Sequence, residues 1–332
     1  MKVLLTGATG LVGAHTALEL LRHGHQLRLL VRNPQAAQRY FARHGFELDD
    51  VVVGDMGDRA LVAGALAGCD AVVHAAAVVD LNARRAQQTL AMNRAGLDNV
   101  VGQACQAGIE RILYVSSIGA IFQPGAPRLD ESAPLANARN AYSRSKELCE
   151  IQVREWQAAG RPIMTTYPSG VFGPHDPKLS QSNEGLIIMA RDLLPLTSSG
   201  LQFVDVRDLA MAHRLLLERP SLAADRSQER YLVAGHFIPW PDFATLLEQA
   251  SGCRPRRLPL PGALLRAVGL MADGLRYLLP LEFPISQESA MIVSQCPPAD
   301  SSRLLQVTGM QFRPPQQTLA DAVAWFRQQG HM

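Results

Sequence analysis

The apolar residues in the first half of the chain fall into short runs separated by helical patterns. Runs at 2–6 (KVLLT), 26–31 (QLRLLV), 51–53, 71–74 (AVVH), 111–116 (RILYVS) and 162–167 are apolar almost throughout. Strands of that kind belong to a parallel sheet covered on both faces. Leu11, Ala14, Ala17, Leu18 and Leu21 recur at helical spacing before Gly24 stops the pattern, which predicts a helix over 11–22. Asp58 is placed to cap another over 59–67. Strand and helix alternating at this spacing predict an α/β fold built on a doubly wound parallel sheet.

After about residue 168 the rhythm breaks. Pro and Gly cluster at 168–177 and 195–200, and prolines recur at 239–241, 255–262 and 297–315. Helical patterns remain at 206–218, 241–251, 262–279 and 317–329, with one strand at 231–234. The expected organisation is a nucleotide-binding sheet domain over 1–170, to which 201–218 and 231–234 return. A smaller substrate lobe takes 171–200 and 235–332.

Composition narrows the function class. The 332 residues are 47% hydrophobic, enough for a core and two lobes, and 32 basic residues against 30 acidic ones argue against a nucleic-acid partner. Five widely spaced cysteines and nine histidines show no metal-ligand spacing and no disulfide framework. No run is long enough to span a membrane and no secretory pattern opens the chain, so a cytoplasmic enzyme is expected. Of the 32 basic residues, 29 are Arg and only Lys2, Lys146 and Lys178 are Lys.

The turn after the first strand reads Thr6-Gly7-Ala8-Thr9-Gly10-Leu11-Val12-Gly13. Between a strand and a helix, such glycines allow a tight turn, close approach of backbone N–H groups to a pyrophosphate, and close helix packing. The stretch predicts dinucleotide binding. The second strand ends Val31-Arg32-Asn33, where an NAD-selecting chain usually places an acid for the ribose 2′-hydroxyl. Arg32 instead suits a 2′-phosphate, so NADP(H) is favoured and NAD(H) is the alternative. Asp55, followed by Met56, suits a contact to the adenine.

Tyr142-Ser143-Arg144-Ser145-Lys146 puts a phenol and an ammonium on one helix face, where both can meet one cofactor ribose. A nearby cation and a positively charged nicotinamide favour the phenolate. In a chain so short of Lys, keeping one here points to a need for a compact ammonium. Ser116-Ser117 ends the fifth strand, at the sheet edge where α/β proteins bind ligands, and Ser117 is taken as the catalytic hydroxyl. Asn93 could anchor a water in the proton path.

Together, T-G-x-x-G-x-x-G, Asp55, His74-Ala75-Ala76, Asn93, Ser116-Ser117 and Tyr142-x-x-x-Lys146 resemble the extended short-chain dehydrogenases/reductases, also called the NAD-dependent epimerase/dehydratase family. Pro168-Ser169-Gly170-Val171-Phe172-Gly173-Pro174, Phe203 to Ala210 and Asp300-Ser301-Ser302-Arg303 extend the likeness over nearly the whole chain. The resemblance implies a Rossmann lobe with a C-terminal substrate lobe and a Ser117-Tyr142-Lys146 triad. It adds Ala75, Ala76, Pro168 and Val171 to the cofactor contacts, and a homodimer through helices near 89–107 and 140–158. The pattern is closest to the dihydroflavonol reductase and 3β-hydroxysteroid dehydrogenase branch. Ile118-Gly119 after Ser117 lacks a dehydratase acid, and Gly119-Ala120-Ile121-Phe122 lacks an epimerase V-Y-G. The expected activity is interconversion of a secondary alcohol and a ketone on a bulky, fairly apolar small molecule. A nucleotide-sugar epimerase with tightly bound NAD is the alternative, although 175–203 lacks an obvious Arg/Lys cluster for a nucleotide diphosphate, to which Lys178, Arg191 and Arg207 could contribute.

The stretch 261–279 (PGALLRAVGLMADGLRYLL) is nearly all apolar, with Arg266, Asp273 and Arg276 in one arc of about 80°. It reads as a lobe helix buried against the sheet or covering the substrate, with membrane-surface contact the lesser alternative. Arg254-Pro255-Arg256-Arg257 reads as a solvated loop.

Overall fold

A computed structural model describes residues 1–78, 85–138, 141–219, 229–278 and 286–332, with 141 and 275–278 described as backbone. The Rossmann lobe begins with β1 (Lys2–Thr6), α1 (Leu11–Arg22), β2 (Gln26–Val31), α2 (Pro34–Arg43), β3 (Val51–Val53), α3 (Arg59–Leu66) and β4 (Ala71–His74). It continues with α4 (Ala86–Leu97), a π-helical turn at 98–102, α5 (Gln103–Gln106), β5 (Arg111–Val115), α6 (Ala141–Ala158) and β6 (Ile163–Pro168). Then come β7 (Gly170–Phe172), α7 (Gln181–Arg191), β8 (Leu193–Leu196), β9 (Gly200–Asp205), α8 (Val206–Glu218), β10 (Arg230–Val233) and β11 (His236–Pro239). The chain ends with α9 (Trp240–Ser251), β12 (Arg256–Pro259), α10 (Gly262–Leu278), α11 (Gln287–Gln295), α12 (Ser302–Thr308) and α13 (Pro315–Gln328).

Seven parallel strands form the main sheet in the order β10-β6-β5-β4-β1-β2-β3. Alternate strand residues feed opposite faces, as strand pleating requires. Val3, Leu5, Leu29 and Val73 join one buried cluster with Leu18 of α1 and Leu209 and Leu216 of α8. Leu4, Leu30, Val72 and Ile112 join another with Val62 of α3, Ala104 of α5 and Val153 of α6. Each such fully buried aliphatic side chain contributes about 1.5–3 kcal/mol relative to exposure. The chain runs β1 to β3 on one side of β1 and resumes at β4 on the other. The reversal opens a crevice at the carboxyl ends of β1 and β4, where Thr6 pairs in register with His74.

The second lobe is more regular than its prolines suggest. β11, β9 and β7 form a three-stranded sheet, β12 and β8 a parallel pair, and Phe203, Trp240, Phe243 and Phe326 fill its core. Expected as part of the 201–218 return to the main sheet, 200–205 pairs instead with β7 and β11, while α8 packs on α1.

The stretch 262–279 differs from its expected burial against the sheet. Leu264, Val268, Leu270 and Met271 are exposed, and among its described side chains only Leu265, Gly269 and Ala272 are buried. The polar arc faces α11 instead: Arg266 Nη1 donates to Ser294 Oγ at 3.0 Å, and the Gln287 N–H donates to Asp273 Oδ2 at 2.9 Å. Gly262 and Gly269 set the close approach, since a Cβ on Gly269 would lie 2.7 Å from the Ser286 carbonyl oxygen. Residue 279, residue 140 of the expected dimer helix and the side chain of Arg276 fall outside the described set. No helix among the described residues is long and apolar enough to cross a membrane.

Candidate active site

A cleft of about 220 Å³ opens at the β1–β4 crevice, lined by Thr6, Gly7, Thr9, Gly10, Arg32, Asp55, Met56, Ala75 and Ala76 of the expected contacts. Leu30, Val31, Gly54, Ala77, Val78, Met92 and Lys178 complete it. Gly7 has φ +84°, and a Cβ there would lie 2.7 Å from Ala75 C and Ala76 N, so only glycine fits the turn. A Cβ on Gly13 would lie 2.2 Å from Gly7 O, so this glycine seats α1 against the turn and does not line the cleft. Gly10 faces open space beyond the Gly7 carbonyl. α1 has no side-chain cap and no acid in its first turn, whereas Asn33 caps α2 and Asp58 caps α3. A narrow backbone turn before an uncapped helix N-terminus fits a dinucleotide pyrophosphate.

Thr6 Oγ1 accepts from Ala76 N at 3.3 Å and pairs with His74 Nδ1 at 2.8 Å, fixing the cleft floor. His74 is fully buried, and burial followed by the Lys146 charge pushes its pKa down to about 3, so it is neutral and structural. Arg32 Nη1 lies 3.9 Å from Asp55 Oδ2, a loose pair of exposed groups at the cleft mouth. Leu11 is buried, Val12 is half-buried and bonded through its carbonyl to Thr16, and Pro168 and Val171 pack in β6 and β7; none of the four lines the cleft.

The catalytic candidates converge at the open end of β5. Ser117 Oγ accepts from Gly119 N at 3.1 Å, and its hydroxyl lies close enough to the Tyr142 phenol to oppose the rise in that group's pKa. Lys146 is buried, donates from Nζ to the Val115 carbonyl at 2.9 Å, and stands 5.3 Å above the Tyr114 ring. Burial lowers its pKa to about 8, partly offset by Cys149 and Glu150. The expected lowering of the Tyr142 pKa is not found in the protein itself: burial raises it, with Ser117 opposing. The phenol is thereby kept as a proton donor. Ser116 is buried behind the site and donates to Glu150 Oε2 at 3.3 Å; Glu150 also receives Tyr167 and Arg154.

Both amide hydrogens of Asn93 go to the protein, which leaves the second lone pair of Oδ1 for a water. Its Oδ1 accepts from Val78 N at 2.7 Å, and its Nδ2 donates to Val78 O at 3.1 Å and to Ser145 Oγ at 2.8 Å. Both donors are spent, so its geometry is that of a positioning residue.

One residue near the reaction site escaped the sequence reading. Glu288 of α11 accepts from Ser143 Oγ at 2.8 Å beside Tyr142, and no local motif marks it. Lys178, expected only as a contact to a sugar diphosphate, lines the β1–β4 cleft instead. Of the other residues named for a diphosphate, Arg207 is bound to Asp205 and Asp321, and Arg191 reaches the His331 carbonyl. Among the described residues no group of three or more His, Cys, Asp or Glu could hold a metal.

Residues 3–234 match the model of the NAD dependent epimerase/dehydratase family. Over 99% of its length the chain is 31% identical to a dihydroflavonol 4-reductase-type protein of Synechocystis sp., covering 95% of that protein. It is 28% identical to the sterol demethylase protein B of Methylococcus capsulatus, over 99% of both chains. Among solved structures, that of gox2253 superposes with a TM-score of 0.83 at 28% identity, over 100% of this chain and 99% of that one.

Proposed function

Because the chain belongs to the NAD dependent epimerase/dehydratase family, we propose that it is an NADP(H)-dependent oxidoreductase interconverting a secondary alcohol and a ketone on a bulky, fairly apolar molecule. The observation that carries this reading is the placement of Ser117, close enough to the Tyr142 phenol to oppose the rise in its pKa, and of buried Lys146, anchored on the Val115 carbonyl at the end of β5, with the glycine-turn cleft at the neighbouring β1–β4 crevice. The named relatives lend support through what their names say they act on, a flavonoid and a sterol.

When bound, the cofactor supplies the hydride. The protein supplies position and a proton. Thr6, Gly7, Gly10, Ala75 and Ala76 would hold the dinucleotide along the β1–β4 crevice, with Arg32 at its adenosine end. Ser117, its Oγ held in place by the Gly119 N–H, would turn its hydroxyl hydrogen to the substrate oxygen. Tyr142, held neutral by burial, delivers its phenolic proton to that oxygen. Lys146, four residues on from Tyr142 along α6 and anchored on Val115, would bind the ribose hydroxyls and stabilise negative charge as it develops on the phenol. With this reading go a homodimer through the helices near 89–107 and 140–158 and a cytoplasmic location.

The test is a titration of the chain with NADPH and NADH, followed by a panel of ketones and secondary alcohols with the preferred form. Tighter binding of NADPH and turnover of an apolar ketone are expected. Copurified NAD with turnover of a nucleotide sugar and no added cofactor would overturn the reading in favour of an epimerase.

A further inference from the structure

The three lysines have separate places. Lys2 Nζ pairs with Asp50 at 2.8 Å at the amino end of the sheet, and Lys146 serves the catalytic cluster. Lys178 comes from the second lobe, yet its Nζ lies 3.5 Å from Thr9 Oγ1 on the glycine turn, in the wall of the cofactor cleft.

That reach across the lobes is built in. Asp176 is buried and organises the loop: its Oδ1 accepts from Lys178 N at 3.3 Å, and its Oδ2 from Ser180 N at 2.7 Å and Asn183 Nδ2 at 3.0 Å. Asn183 also holds both backbone groups of Gly173, at 3.3 and 2.9 Å. His15 of α1 donates from Nε2 to the Pro174 carbonyl at 2.9 Å, and burial pushes its pKa down to about 4, so it stays a neutral donor. Loop 174–180 is therefore fastened to the helix whose uncapped N-terminus faces the cleft. The Lys178 ammonium is exposed at the spot where that N-terminus already favours an anion.

Resting on the dinucleotide reading above, we infer that Lys178 binds the cofactor's pyrophosphate from the second-lobe side. The glycine turn cradles one side of the diphosphate, and an ammonium on a flexible stem covers the other. A compact point charge suits this role, since a diphosphate bound mainly by backbone N–H groups leaves little room for a planar guanidinium fork. Arg32, which lines the same cleft at the end of β2, is left to discriminate the 2′-phosphate.

The test is equilibrium titration of unmodified protein, Lys178→Ala, Lys178→Gln and Arg32→Ala with NADPH, NADH and ADP-ribose, at low and high salt. Lys178→Ala and Lys178→Gln are expected to weaken all three ligands about equally, by roughly tenfold, and to flatten the salt dependence. Arg32→Ala is expected to weaken NADPH alone. Unchanged affinities in both Lys178 variants, or a loss confined to NADPH, would overturn the assignment. If the unmodified protein binds none of the three ligands, the dinucleotide reading fails with it. Because Lys178 is exposed, unchanged thermal denaturation should verify that the variants are folded.

Discussion

Asn93 and Ser145 meet at 2.8 Å, Nδ2 to Oγ, and Ser145 Oγ in turn donates to the Tyr142 carbonyl at 2.7 Å. Since Asn93 also clamps both backbone groups of Val78, one amide joins the cleft wall to the helical turn that carries Tyr142 and Lys146. Asn93→Ala strands those partners in a half-buried place and should cost about 2 kcal/mol of stability. Its kcat should fall about tenfold and its dinucleotide Kd rise. Ser145→Ala breaks only the link to α6, so kcat should fall while Kd holds. Thermal denaturation and steady-state kinetics check both, and an Asn93→Ala protein with unaltered Tm and kcat would contradict the clamp.

Tyr142→Phe removes the proton donor and leaves the cleft intact. Positioned proton transfer is worth about 10²–10⁴-fold in rate, so turnover should drop by that factor while NADPH affinity stays within about twofold. A variant that kept full turnover would assign the proton to another group.

Lys146 gives the enzyme a pH signature. Burial lowers its pKa to about 8, so the ammonium is charged below that pH and neutral above it. Reductive kcat/KM is expected to fall as pH rises through about 8. The stability sign is opposite: the unfolded chain holds this proton more tightly, near the ordinary lysine value of 10.5, so burial costs stability below pH 8 and the cost is relieved between 8 and 10.5. Profiles of kcat/KM and of denaturant midpoint against pH, for the unmodified chain and Lys146→Met, would show whether both trends vanish together.

Glycine at 13 is a packing requirement, not a ligand. Adding a methyl group would place it 2.2 Å from the Gly7 carbonyl oxygen and push α1 off the turn. Gly13→Ala should cost about 1–3 kcal/mol as an overpacked contact and weaken both NADPH and NADH. Gly10→Ala meets only the Gly7 carbonyl at 3.6 Å, so it should fold normally and lose dinucleotide affinity alone. Differential scanning calorimetry beside cofactor titration separates the two.

The main sheet was legible because fully buried parallel strands leave unbroken apolar runs, and all seven of its strands lie within a residue of the expected boundaries. Thr6, Gly7, Gly10, Arg32 and Asp55 were legible because backbone geometry restricts the residue types a phosphate turn and a strand end accept. The second lobe was not, because β7, β8, β11 and β12 are only three or four residues long and carry Pro or Gly. The burial of α10 was misjudged for a related reason: an apolar face says that water is unfavourable there, not which neighbour covers it. Glu288 reaches Ser143 across 145 positions, a contact no local spacing can encode.

Arg32 is the residue on which the choice of cofactor turns. It lines the cleft at the end of β2, its side chain is 72% exposed, and its Asp55 partner is 3.9 Å away, too far to occupy the guanidinium. The group is therefore available to a second anion, and charge-assisted pairing with a 2′-phosphate is worth about 1.5–3 kcal/mol. NADPH should thus bind roughly ten- to a hundredfold more tightly than NADH. Arg32→Asp removes that pairing, repels a phosphate and supplies an acceptor for the ribose 2′-hydroxyl, so the preference should reverse. The reversal should reside almost wholly in the NADPH affinity, because a hydroxyl contact at an exposed site adds little. Competitive titration of the two nucleotides against both proteins decides the point, and equal affinities in the unmodified chain would remove Arg32 from the recognition of the cofactor.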